Sequence, residues 1–380
     1  MKPHPVDAEL ALFRETCLRF ARERIEPHVV AWEEAEGFPR SLYGEAAKAG
    51  ILGAGFPEAL GGSGGDALFA LVAAEALISA GSTGVVAGLQ SLGIALPVIL
   101  RLGDAAQQAR FVPPVLAGER VAALAITEPG TGSDVAAIRT RARRDGDRYV
   151  LDGSKLFITS GMRADQVTVL ARTGEDPHGG LTFFVVERGM AGFSASRALK
   201  KTGWRASDTA ELSFDGVVVP ASHRIGPEGS GFVALMQSFV GERLALAFYG
   251  HATAEVALRD ALAYARERVA FGRPIAKFQV TKHKLAEMAT QVVACRTLNY
   301  AVAEKVRRGE APVGEVAMAK NFAAEVAMAV TYAAVQVFGG MGYMRETRVE
   351  RLSRDARLLP IGGGTTEVMN ELIGKWALGL

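Results

Sequence analysis

Hydrophobic positions change their spacing twice along this chain. Near the N-terminus Leu10, Phe13, Cys17, Phe20 and Ile25 recur at helical spacing on one face. Further helical runs follow, punctuated by Gly50, Gly61-Gly62-Ser63-Gly64-Gly65, Gly81 and Gly103, as C-terminal caps prefer. From Val121 to about Pro220 the period shortens, and 138–144, 148–151, 155–159, 167–172, 181–187 and 211–219 read as strands. Asp145-Gly146 and Asp152-Gly153 separate the first three runs as hairpin turns. Short strands at this spacing imply a small barrel or a sandwich. Long helical periods return over 232–268, 280–308, 313–338 and 366–378. The order predicts a helical domain, a β domain and a second helical bundle.

Composition narrows the classes. At 380 residues, 49% of them apolar, the chain can build two or three packed units. A net charge of +2 argues against wholesale binding to nucleic acid or a membrane surface. Cys17 and Cys295 are the only cysteines, so a disulfide framework is not expected and a reducing cytoplasm fits. The opening Met-Lys-Pro-His-Pro runs straight into a charged amphipathic helix, with no signal-peptide core. The apolar stretch 85–100, broken by Gly88, Gly93 and Pro97, reads as a buried core helix.

Several motifs have bland readings. His251 with Glu255 and His283 with Glu287 could hold a metal from a helix face, but each lacks a third ligand nearby and reads as a solvated contact. The run at 61–65 could cradle phosphate, yet no Gly-Lys-Ser/Thr follows, so it reads as a flexible loop. Arg139, Arg141 and Arg143 share one face of a basic hairpin, read as a solvated strand face. Neither a Gly-x-Ser-x-Gly elbow at a strand-to-helix turn nor a dinucleotide fingerprint opening a βαβ unit is present.

Two segments point to chemistry. The first, Ala125-Ile-Thr-Glu-Pro-Gly-Thr-Gly-Ser-Asp134, ends a strand with a tight turn rich in hydroxyls and open backbone N–H groups. Such a turn can embrace a polar heteroaromatic edge or a pyrophosphate, or be an ordinary capped turn. The second runs from Gln336-Val-Phe-Gly-Gly-Met-Gly-Tyr to Ile361-Gly-Gly-Gly-Thr-Thr-Glu367. Thr365 or Thr366 would cap the following helix, whose N-terminus could receive phosphate.

With Lys155-Leu-Phe-Ile-Thr-Ser-Gly161, Lys201-Thr-Gly-Trp-Arg-Ala-Ser-Asp-Thr-Ala-Glu211, Gly229-Ser-Gly-Phe232, Arg268-Val-Ala-Phe-Gly272 and Gln279, these segments resemble the acyl-CoA dehydrogenase family along essentially the whole chain. The resemblance implies a multidomain α+β fold, with an N-terminal helical domain (1–120), a central β-barrel (121–228) and a C-terminal four-helix bundle (229–380). It also implies FAD, an acyl-CoA substrate, an electron-transfer flavoprotein as oxidant and a homo-oligomer, most simply a tetramer. Carried over, it places Leu124, Ala125, Ile126, Thr127, Gly132, Ser133, Phe157, Ile158 and Thr159 against the flavin, with Ser133 also on the pantetheine arm. Arg268, Phe271, Gln279, Gln336, Gly339 and Gly340 would reach the FAD of a neighbouring subunit. Thr365 and Glu367 would meet its adenosine and pyrophosphate part.

One departure decides the mechanism. Where many members carry Tyr-Glu-Gly-Thr, this chain reads Gly362-Gly363-Gly364-Thr365. Phe239-Val240-Gly241-Glu242-Arg243-Leu244 instead resembles the isovaleryl-CoA and long-chain branches, whose base precedes the arginine on a bundle helix. Glu242 is then the expected base, Val240 and Arg243 border the substrate, and Gly363 keeps the backbone N–H that the family aims at the thioester carbonyl. Dehydrogenation of carrier-protein thioesters, or a DNA-associated flavoprotein of the same superfamily, are the alternative readings.

Overall fold

The computed structural model describes residues 4–380; the first three residues, part of the stretch read as lacking a signal peptide, lie outside it. The N-terminal part is built from α1 (Ala8–Phe20), α2 (Val29–Glu34), α3 (Ser41–Lys48), α4 (Ala67–Ile78), α5 (Thr83–Leu89), α6 (Leu92–Ala95), α7 (Pro97–Leu102), α8 (Ala105–Phe111) and α9 (Pro113–Leu116). Side-chain caps start several of them: Asp7 accepts from Leu10 N, Ser82 from Val85 N, and Asp104 forms a capping box with Gln107. Leu10, Cys17, Phe20 and Ile25 are buried, as their spacing requires. The stretch read as one core helix is buried but is α5, α6 and α7 in succession, since Pro97 restarts the helix at its first residue. The glycine run at 61–65 is a packed turn, not a flexible loop: Gly55 N donates to Gly64 O and Ser63 N to Gly53 O, each at 2.9 Å.

The middle part is one mixed sheet of β1 (Ala122–Ala125), β2 (Arg141–Asp145), β3 (Arg148–Thr159), β4 (Gln166–Arg172), β5 (Leu181–Glu187), β6 (Phe193–Ala198), β7 (Thr209–Pro220) and β8 (Arg224–Ile225). Its order is β6-β7-β3-β2-β4-β5-β8, with β1 parallel to β4 off this path. The expected closed barrel is therefore an open sheet. β1 takes the edge of β4 over Gln166–Val169, leaving β2 a single pairing there, Arg141 with Arg172. The far edge, β6, is short and mostly exposed, the usual way to blunt an unpaired edge. Asp145 and Arg148 do pair across the predicted hairpin, but Asp152-Gly153 is no turn. It sits inside β3 as a register shift against β7. β4 and β5 are buried on both faces: Val167, Val169, Phe184 and Val186 fill the sheet's own core, while Leu170, Leu181, Phe183 and Val185 join the helical core.

The C-terminal part holds α10 (Gly231–Glu267), α11 (Gln279–Arg307), α12 (Val313–Phe338), α13 (Arg348–Ala356) and α14 (Thr366–Ile373). Fully buried alanines recur on both packed helices, Ala254, Ala257 and Ala261 on α10 and Ala319, Ala323 and Ala327 on α12. A Cβ on Gly250 would lie 2.7 Å from Ala323 O, so only glycine allows this approach. α10 and Val313–Tyr343 have the length and hydropathy of membrane-crossing helices, but here they bury apolar surface on each other. His251, read as a solvated partner of Glu255, is fully buried, with Glu75 Oε2 at 3.2 Å and Asn299 Nδ2 at 2.9 Å. Glu255 instead accepts from Arg296.

Candidate active site

Glu242 lies in the first third of α10, where the helix meets the loop 360–365. The φ of Gly363 is +65°, and a Cβ built there would lie 3.6 Å from Glu242 Oε1. The two alternative base positions therefore converge on one point. The same Cβ would lie 2.3 Å from Leu246 Cδ1, so Leu246 has grown into the space a side chain at 363 would use. A glutamate there would displace Leu246 and add left-handed strain of about 1–2 kcal/mol. In this chain the carboxylate sits on the helix and the loop is committed to glycine.

Two buried cations hold that loop. Arg243 donates through Nε to Gly363 O at 3.1 Å, with its guanidinium 5.0 Å from the Phe239 ring centroid. Lys320, on α12, donates to Gly364 O. Asn321 adds bonds to Thr366 O and to Asn370 Oδ1, and Thr365 caps α14 by accepting from Val368 N. The Gly363 N–H is left without an acceptor among the described residues. Arg243, expected beside the substrate, thus spends its Nε on the carbonyl of the peptide that follows Gly363. Lys320 was not found by sequence reasoning, because nothing in its helical surroundings marks it.

Burial pushes the Glu242 carboxyl up to about 7, against the opposing pull of the Arg243 and Lys320 charges. Some of its surface still meets solvent, but packed protein surrounds the carboxylate, and that environment sets the proton affinity. Burial and the neighbouring Arg243 lower Lys320 to about 8. A carboxyl poised near neutrality, beside an unspent backbone donor, suits proton abstraction.

A ledge on the sheet domain supplies the second group of residues. Leu156 N donates to Thr127 O at 2.8 Å, tying the turn after β1 to the end of β3. Phe157 and Ser160 both have φ near +61°, and Phe157 stands 65% exposed on its ledge. Such backbone costs about 1–3 kcal/mol per residue and gathers at functional sites. Thr127 and Thr159 are half-buried, with hydroxyls committed to no partner among the described residues, while Gly132 and Ser133 are exposed at the rim. Leu124 is partly buried, but Ala125, Ile126 and Ile158 send their side chains into the cores, so they could meet a ligand only through main chain. The turn rests on a buried ion pair. Lys155 Nζ lies 3.0 Å from Glu128 Oε1 and 2.8 Å from Ile126 O, and Glu128 accepts from Arg139 N and Thr140 N. This pair also escaped sequence reasoning.

Arg268, Phe271, Gln279, Gln336, Gly339 and Gly340 are not brought to this site. All are exposed at the opposite end of the bundle, where Tyr264 stacks on Phe338 at 4.2 Å. At 1.5 Å per residue, Arg268 is roughly 39 Å along the helix from Glu242. Val240 is half-buried near Glu242, and Glu367 is exposed. Two surface grooves of about 420 and 320 Å³ lie on the sheet domain and are lined by none of these residues. The first contains Arg172, whose guanidinium is already spent on backbone carbonyls, so chemistry and not groove size identifies the site.

Comparison with known proteins agrees with this layout. Residues 7–119, 123–217 and 229–378 match the N-terminal, middle and C-terminal domains of acyl-CoA dehydrogenases. The mitochondrial long-chain specific acyl-CoA dehydrogenase of Sus scrofa is 39% identical over 371 residues, covering 97% of this chain and 86% of that protein. A solved probable acyl CoA dehydrogenase from Mycobacterium abscessus superposes with a TM-score of 0.96 at 50% identity, covering 97% of this chain and 99% of its own. Butyryl-CoA dehydrogenase from Megasphaera elsdenii superposes with a TM-score of 0.95 at 36% identity, over 99% and 100% of the two chains. Matched across all three domains, the chain belongs to the acyl-CoA dehydrogenase family.

Proposed function

We propose that this protein dehydrogenates acyl-CoA thioesters to trans-2-enoyl-CoA, with Glu242 as the base. The observation that carries this reading is the convergence at Gly363: a raised carboxyl, a free backbone N–H and the family's two base positions meet at one point. The α-proton of a thioester is a very weak acid, so a carboxylate alone does not suffice. The Gly363 N–H, in a loop held by Arg243 and Lys320, donates to the thioester oxygen as negative charge develops there. Glu242 takes the α-proton.

The ledge fits FAD. An exposed aromatic ring on strained backbone and two uncommitted threonine hydroxyls suit a planar heteroaromatic with a polar edge, held by Thr127, Phe157 and Thr159. Bound there, FAD supplies the two-electron acceptor for the β-hydride. Ser133 at the rim would meet the pantetheine arm. An electron-transfer flavoprotein would take the electrons onward, as the family resemblance implies. The residues gathered some 39 Å along α10 from Glu242 cannot readily serve the same flavin, which supports a homo-oligomer, in the family's manner a tetramer, in which they complete a neighbour's site. The near-zero charge and two unpaired cysteines support a cytoplasmic protein acting with neither nucleic acid nor membrane.

Glu242→Gln tests the reading. It keeps the side chain's shape and removes the proton acceptor, so acyl-CoA should still bind while flavin reduction falls about 10²–10⁴-fold. Stopped-flow bleaching of the flavin measures that step. Reduction at the wild-type rate would remove Glu242 from the mechanism.

A further inference from the structure

The loop beside Glu242 contains three glycines in a row, Gly362, Gly363 and Gly364, the residue type least able to hold a fixed backbone. Gly363 and Gly364 take φ of +65° and +100°. With no Cβ to bias them, the peptides around them can turn over at little cost unless side chains grip them. Arg243 grips Gly363 O and Lys320 grips Gly364 O. The C=O and N–H of one trans peptide point in opposite directions. The N–H groups of Gly364 and Thr365 therefore point away from the two cations. Together with the Gly363 N–H they donate to nothing among the described residues. Successive free N–H groups in a left-handed turn make a concave donor for negative charge.

Lys320 is an expensive grip. It is 1% exposed, on a helix whose Ala317, Ala319, Ala323 and Ala324 are buried as well. A neutral amide can hold a carbonyl without bringing a charge into the interior, as Asn321 beside it does for Thr366 O at 3.2 Å. The charge therefore calls for a use that the bond to Gly364 O alone does not supply. The charged groups that face Glu242 are Arg243 on its own helix and Lys320 on α12, while Glu367 on α14 faces Lys320. Both cations favour the ionised form of Glu242, which burial opposes.

We infer that Lys320 is a positioning residue for the proposed dehydrogenation, holding the glycine loop in the shape that presents the Gly363 N–H beside Glu242. The inference rests on that reading of the site and adds to it a residue on another helix, which touches neither substrate nor flavin. The same ammonium group acts on Glu242 through space, so its removal has two separable consequences, one for the loop and one for the carboxylate.

Lys320→Met and Lys320→Arg test it in the flavin-loaded protein, with a panel of butyryl-, octanoyl- and palmitoyl-CoA. Methionine fills similar space without a donor or a charge, so it leaves one carbonyl unpaired but no buried ion. Flavin reduction by the best ester, read in stopped flow, should fall about 10–10²-fold in Lys320→Met, with KM changing far less. The acid limb of kcat/KM should move up by about one pH unit, because Glu242 loses a facing cation. Lys320→Arg keeps a donor and the charge, so it should hold the acid limb at its wild-type pH and recover part of the rate. A flavin-free readout runs beside these. The difference in denaturant midpoint between Glu242→Gln and its parent should go on changing to higher pH in the Lys320→Met background than in the wild type. Wild-type flavin reduction by Lys320→Met would overturn the assignment. So would a slowed Lys320→Met whose acid limb and midpoint difference both keep their wild-type pH, the mark of a purely structural lysine. Failure of both variants to fold would likewise assign Lys320 to the fold alone. If no ester reduces the wild-type flavin, the dehydrogenase reading falls, and the role of Lys320 with it.

Discussion

Glu242 must be ionised before it can accept a proton from a substrate, and its surroundings oppose that. Burial holds its carboxyl up at about 7, so kcat/KM should climb with pH below that value and level off above it. Stability has the opposite sign. A carboxyl whose folded value is raised favours the protonated fold, so its contribution is full below the unfolded value near 4.5 and is lost as pH rises through about 7. Denaturant midpoints of Glu242→Gln relative to wild type should therefore improve between about pH 5 and pH 8. A flat pH–rate profile across neutrality, or a constant difference in midpoint, would count against the raised carboxyl. The identity of this residue was legible from its neighbours in sequence. Its proton affinity was not, because that depends on Arg243 beside it, Lys320 on another helix and the packing around all three.

At the scale of elements, the turn after β1 was visible as a run of glycine, proline and hydroxyl residues, while its anchor was not. Glu128 and Lys155 lie 27 residues apart, on different elements, and pair only because β3 runs past the turn. Burial lowers Lys155 to about 8 even with Glu128 beside it. Glu128→Ala would leave that amine buried without its partner and free the N–H groups of Arg139 and Thr140. We expect a loss of about 3–5 kcal/mol by urea unfolding, as for other broken buried pairs, together with weaker FAD retention. A loss of stability with unchanged flavin affinity would separate the anchor from the ledge. The strand errors have a similar origin. Asp-Gly is a turn signal wherever it occurs, but at 152–153 pairing with β7 continues on both sides and makes it a bulge. β6, reading Phe-Ser-Ala-Ser-Arg-Ala, carries too little apolar character to stand out from a loop.

Across the whole molecule, the three parts are joined by buried carboxylates. Asp355 on α13 accepts from Thr83 N at 3.1 Å, in the N-terminal part, and from Trp204 N at 2.6 Å, in the sheet part. Glu33 accepts from Ser82 and from Ala206 N, and keeps one oxygen without a partner. Burial, with Glu33 nearby, drives the Asp355 carboxyl upward to about 7. Asp355→Ala would strand two buried N–H groups from two different parts. It should cost about 2–5 kcal/mol, lower the thermal midpoint and, by loosening the seam, release flavin below the main unfolding transition. Flavin and protein signals that remain coincident at an unchanged midpoint would show that this junction does not couple the parts.

By itself the sequence determined the succession of helix, sheet and helix, the helical faces that turn inward, the two motifs and the glutamate proposed as the base, since these rest on local spacing and on residue identity. Tertiary structure alone decided that the sheet stays open, because β1 and β2 compete for one edge of β4. It also decided that Glu242 and Gly363, 121 positions apart, share one point in space, that Lys320 and Arg243 clamp the intervening loop, and that Leu246 denies the loop a side chain. Each of these depends on contacts between residues far apart in the chain, whose distances are set by how helices and strands pack and not by any local preference.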